Sequence, residues 1–150
     1  MKFFFPVENA RTLKNPFEDS GSHVEKRTFS YVEIQNIPKE FRNFIQQDFF
    51  DPHMKEKAMS ILQEHPQEFH LFITPILIHA DIARFDNRKN KILVALDEKN
   101  PTQGIILGAE TLEAILECRD SIFVKVFVEL EFLNELDRYA VKRLIESRTI

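Results

Sequence analysis

Tryptophan is absent from this chain of 150 residues, tyrosine occurs twice and cysteine once. The single Cys118 excludes an internal disulfide framework and fits a reducing compartment. Aromatic content is therefore phenylalanine, 15 of them, and such rings pack a core well but offer few polar handles. They are read as core rather than as platforms for stacking bases. A long apolar run is also missing: in "MKFFFPVENA" Pro6 and Glu8 break the segment before it reaches the length of a signal peptide or membrane span. The expected location is the cytoplasm, with no membrane partner. Basic charge is not in excess either. Lys and Arg number 20 against 24 Asp and Glu, a net charge of -4, whereas a protein holding duplex DNA through bulk charge leans the other way. Only local basic patches are left for such contacts. There is no P-loop, no zinc-ligand spacing and no Ser, His and Asp arrangement that signals a nucleophile. No metal and no cofactor are expected.

What is present is ordinary for one globular domain: 43% hydrophobic and 29% charged residues, on a chain long enough for a real core. Residues 1–27 read as an N-terminal extension, a short initial strand followed by the polar loop "NPFEDSGSHVEKR", ahead of a single α/β domain over residues 28–150. "TFSYVEIQNIP" alternates as a strand up to Pro38, and "IPKEFRNFIQQ" spaces Phe41, Phe44 and Ile45 as a helix does. In "DPHMKEKAMSILQEHP", Asp51 caps, Pro52 suits the first turn, Met54, Ala58, Ile61 and Leu62 form a stripe, and Pro66 stops the helix. The apolar run over 76–85, the turn "DNRKN" and the return over 91–97 predict one long hairpin around Asp86-Asn87. "QGIIL" reads as a buried strand, "ETLEAILECR" as a helix, and "IFVKVFVEL" as a strand with Phe123, Lys125 and Phe127 on one side. An amphipathic helix, "NELDRYAVKRLIESR", closes the chain. The fold class is α+β: a mixed sheet with a β-hairpin and packed helices.

Three segments in order resemble one family. "ILQEHPQEFHLFITPILIHADIARFDNRKNKI", "GIILGAETLEAILE" and "VKVFVELEF" followed by "AVKRLIESRT" are similar to the conserved blocks of abortive infection phage resistance (AIPR) proteins, over roughly residues 54–149. The glycine corner is similar, more distantly, to the ParB/sulfiredoxin-like superfamily and the DGQHR proteins of DNA-modification systems, where a strand, a turn and a helix hold nucleotide phosphates. The resemblance implies a ParB/sulfiredoxin-like fold and a role in antiviral defence or DNA modification. The chain departs from the family pattern at Ile73 and Pro75, where that pattern has Asn and Gly, and at Leu107, Ala109 and Glu110, where it has Asp, Gly and His. Gly108 and Thr111 remain, and of the terminal "aRNTS" element Arg148 and Thr149.

Candidate sites follow. At the corner, Gly108, Glu110, Thr111 and Arg148 are candidates for holding a phosphate, because a helix N-terminus presents unpaired N–H groups and a positive dipole end. Glu110 opposes this, since a first-turn carboxylate satisfies the dipole itself. Arg84, Arg88, Lys89 and Lys91 gather around the hairpin tip as candidate nucleic-acid contacts. His79 and Asp81 share a strand face, with His65 and His70 nearby in sequence, and read as a solvent-facing pair. Cys118 reads as a packed thiol. The favoured function is a non-catalytic AIPR-like binding module whose family pocket has degenerated, with a protein or nucleic-acid partner. The alternatives are a nucleotide-binding or nucleic-acid-processing domain using the corner, and nucleic-acid binding through the hairpin.

Overall fold

The period of two in "KFFFP" sends Phe3 and Phe5 into the core and Phe4 to solvent, which fixes how the first strand sits. The computed structural model describes residues 1–16, 26–46 and 49–148. Two sheets share one core. A three-stranded antiparallel sheet has the order β1 (Lys2–Pro6), β6 (Lys91–Ala95), β5 (Ile82–Asp86). A five-stranded mixed sheet has the order β2 (Glu8–Lys14), β3 (Lys26–Glu33), β8 (Phe127–Leu133), β4 (Ile76–His79), β7 (Gly104–Leu107). Among the named strands of the described residues, only the β4–β8 pair is parallel. The α+β class is as expected from the sequence.

The inner face of the larger sheet carries Val32, Val128, Leu130, Phe132, Ile76, Ile78 and Ile105 into a core shared with Phe3, Phe5, Ile92 and Val94 of the smaller one. The helices α1 (Pro52–Glu64) and α3 (Ala109–Cys118) pack against each other and add Ala58, Leu62, Leu112 and Ile115 to that core. The Asp51 side chain caps α1 by accepting from the His53 N–H at 2.9 Å, and Pro52 occupies the first turn, as the sequence predicts. Met54, expected in the buried stripe, lies largely exposed. The predicted helix around Phe41 and Phe44 is a 3-10 helix over Lys39–Phe44. On the outer face of the larger sheet, Leu136 and, from α4 (Arg138–Arg148), Val141 and Leu144 pack over Leu77, Ile106, Leu107 and Leu133 as a second, smaller core.

Four expectations need correction. The apolar run over 76–85 is two strands in two sheets. Its hinge is Ala80-Asp81, where the Ala80 N–H donates to Leu133 O and the next N–H, that of Asp81, donates to Ala95 O, both at 2.9 Å. Only β5 joins β6 in the hairpin, paired from Ile82↔Ala95 to Asp86↔Lys91. Residues 2–14 are not an extension: β1 and β2 are hydrogen-bonded members of the two sheets, and Phe3, Phe5 and Val7 are core. Much of the expected loop after them, residues 17–25, lies outside the described residues. The last strand begins at Phe127 rather than at Ile122, so Phe123 is 93% exposed. A short helix α2 (Phe69–Phe72), buried through Phe69, precedes β4 where no element was read.

Candidate functional site

The corner between β7 and α3 is built around backbone economy. Gly108 has φ +93°, and a Cβ placed there would lie 3.0 Å from Ile76 Cα. The glycine is therefore needed for the close approach of the corner to β4 and for the left-handed turn into the helix. What surrounds it is packing. Leu107 joins the apolar cluster under α4, Thr111 is buried, and Ala109 belongs to the core. The Glu110 carboxylate accepts from the Asp51 N–H at 3.0 Å, which ties the first turn of α3 to the capping residue of α1. A carboxylate so placed supplies the negative charge that both helix N-termini attract. Gly108, Glu110 and Thr111 stand together at this corner.

Arg148 does not join them. Its Nη1 lies 3.0 Å from Glu131 Oε2, and Glu131 also receives Arg27 Nη2 at 3.2 Å. Leu77 of β4 stands in register between Glu131 of β8 and Leu107 of β7, so Arg148 is two strands away from the corner. Thr149 lies outside the described residues. Glu131 is only 3% exposed, and two guanidinium groups compensate its burial.

His79 corrects a further expectation. It is 1% exposed rather than on a solvent face. Its Nε2 accepts from the Leu136 N–H at 3.0 Å, so that nitrogen carries no proton, and Nδ1–H donates to Thr102 O at 2.8 Å. Burial lowers its pKa below the ordinary histidine value, and the Thr102 contact and Asp81 charge offset this only in part. Asp81 is exposed and accepts from Gln103 Nε2. His65 and His70 instead face Phe72 and Tyr31 edge to face. Among the described residues no group of three or more His, Cys, Asp or Glu is placed to hold a metal ion. Cys118 is buried, and that burial, with the Glu117 charge, pushes its thiol pKa up, which keeps it a packed and unreactive group.

The hairpin cations converge with a residue that sequence reasoning assigned to the core. Register places Phe4, Leu93 and Arg84 in one row across the outer face of the smaller sheet, with Lys91 in the next row. Phe4 is 45% exposed. Lys91 Nζ and Lys89 Nζ stand 5.3 and 5.7 Å from its ring centroid. Asp86 holds the turn by accepting from the Arg88 and Lys89 N–H groups at 3.0 and 3.3 Å. Lys2, exposed on β1, adds a cation to the same face. The alternation of "FFF" was the available signal: with Phe3 and Phe5 inward, Phe4 has to face out.

No family model, curated protein or solved structure matches the chain. Among the described residues, no helix is long and apolar enough to cross a membrane.

Proposed function

We propose that this chain is a non-catalytic binding domain that engages single-stranded nucleic acid across the outer face of the β1–β6–β5 sheet. The observation that carries this reading is the exposed Phe4 ring with Lys89 and Lys91 over it and Arg84 in the same row. A ring on an open sheet face stacks an unpaired base, and cations beside it hold the flanking phosphates. A duplex hides its bases from such a ring, so the expected preference is for single strands. Acidic residues elsewhere make the overall charge negative, but Asp86 is the only carboxylate that the register puts on this face. The corner is the weaker candidate, because the Glu110 carboxylate occupies the first turn of α3 and Ala109 and Thr111 beside it are buried. The motif resemblance supports placing the domain near AIPR proteins, with a ParB/sulfiredoxin-like ancestry and a setting in phage defence or DNA modification.

Fluorescence anisotropy with a labelled deoxythymidine oligomer tests the proposal. Binding should weaken with salt along a log–log slope of about -2 to -3, the scale for a few phosphate contacts on a single strand. Phe4→Ala should weaken it at least about fivefold, the lower end for one stacked base, and Lys89→Glu with Lys91→Glu should abolish it. Absence of binding, equal affinity for duplex, or an unaffected Phe4→Ala variant would overturn the reading.

A further inference from the structure

A second feature lies on the other sheet. Helix α4 covers β7, β4 and the end of β8 on the outer face, and between its other flank and the β2–β3 pair the described residues border a groove of about 700 Å³. The floor is aliphatic, with Leu13, Leu133, Leu136 and Leu144. Lys14, Arg27, Arg143 and Arg148 stand around it. Beneath them Glu131 offsets one of these four positive charges, so among the described residues three remain in excess. Arg27 donates through Nη2 to Glu131, while its buried Nε has no hydrogen-bond partner among the described residues. Arg143 is held at the margin by its neighbour: Nη1 donates to Tyr139 Oη at 3.1 Å, and the guanidinium lies 5.6 Å from the Tyr139 ring centroid.

We infer that this groove binds a small amphipathic anion, with an aliphatic body and a single carboxylate or phosphate head. The size and the lining are those of a ligand pocket, mostly apolar with a few polar groups that fix orientation. Charge complementarity selects the sign of the head. An aliphatic chain lies along Leu13, Leu136 and Leu144, and the head meets Arg143 and the donors that Arg27 and Arg148 have left after binding Glu131. The neutral alcohol of the same length lacks the charged contact, and a bare acid lacks the body. Both parts are needed.

Calorimetric titration of the full chain with octanoate, octan-1-ol and acetate tests this, and the carboxylate and phosphate heads are compared with octyl phosphate. Octanoate or octyl phosphate should bind saturably at one site, octan-1-ol at least about tenfold more weakly, and acetate not at all, since hydrogen bonds to charged groups account for about that factor. Arg143→Glu, a change at an exposed side chain that leaves the Glu131 pairs intact, should cost about tenfold by the same argument. Amide shifts in two-dimensional NMR should move at Ala140, Leu144 and Ser147. No saturable binding of either anion, equal binding of octan-1-ol, an unaffected Arg143→Glu variant, or shifts confined to other elements would each overturn the inference.

Discussion

Replacing His79 by Leu should destabilise this protein through the two hydrogen bonds that its buried ring makes. The histidine joins β4, the segment at Thr102 and the approach to α4 through two hydrogen bonds from one ring. Leucine keeps the volume and most of the packing, but strands the Leu136 N–H and the Thr102 carbonyl. A buried group left unsatisfied costs about 1 to 3 kcal/mol, so the pair should cost about 2 to 6 kcal/mol. For a chain of this size each kcal/mol lowers the melting temperature by about 2 to 4 °C, so the variant should melt about 4 to 24 °C lower. His79→Asn and His79→Gln divide the effect, because each amide reaches one ring-nitrogen position and not the other; both should fall between wild type and leucine. The pH dependence carries an independent sign. The unfolded chain takes up a proton at about pH 6.5, whereas the folded ring, with its pKa lowered by burial, resists it. Below about pH 6.5 the unfolded state therefore binds more protons, and stability falls with pH down to the folded pKa; above about 6.5 the contribution is whole. Urea denaturation of wild type and His79→Leu from about pH 7.5 to 5 should show this component in the first and not in the second. A leucine variant as stable as wild type, or the same pH slope in both, would refute the argument.

Three other outcomes are expected. Gly104→Ala should be worse than Gly108→Ala, because its Cβ would fall 1.9 Å from Phe44 O at φ +129°, against 3.0 Å from Ile76 Cα at φ +93°; the second should cost about 1 to 3 kcal/mol in urea denaturation, as strained backbone sites do, and the first should exceed it. Arg27→Ala and Arg148→Ala should each cost about 1 kcal/mol or less, since one guanidinium still pairs with Glu131, while the double variant should lose about 3 to 5 kcal/mol by leaving a buried charge uncompensated; strict additivity in a double-mutant cycle would show that the two do not share the carboxylate. Millimolar ATP, GTP or CTP, with or without magnesium, should leave the melting temperature unchanged, whereas a ligand at a hundred times its dissociation constant would raise it by about 5 to 10 °C.

The elements legible in the sequence are those whose signals are local. Asp51-Pro52 and the turn at Asp86 act through hydrogen bonds within three residues, so composition reveals them. The split at Ala80-Asp81 does not show, because hydropathy runs on unbroken while the hydrogen-bond partner changes from Leu133 to Ala95. Nor does the role of Gly104, whose constraint comes from Phe44 some sixty residues earlier in the chain. At the corner Gly108, Glu110 and Thr111 are neighbours by chain position alone, whereas Arg148 enters that set only by motif order, and order along a chain says nothing of which carboxylate a guanidinium will find. The burial of His79 does not show in the pattern either, because a strand's two faces are distinguishable only when one of them is wet, and α4 covers this one.

The position of β8 has a consequence for how the chain is made. It is the last strand in sequence, yet it lies at the middle of its sheet, with β3 on one side and β4 on the other. During synthesis both of those strands emerge with a bare edge that only residues 127–133 can cover. Until then, β4 can pair with β7 and β3 with β2, but the two halves have no bond between them. Nascent chains released short of residue 127 should therefore be sticky rather than partly functional, since uncovered strand edges recruit other strands. Long-range and parallel pairings also close slowly. Emergence of residues 127–133 is thus the step that closes both waiting edges at once.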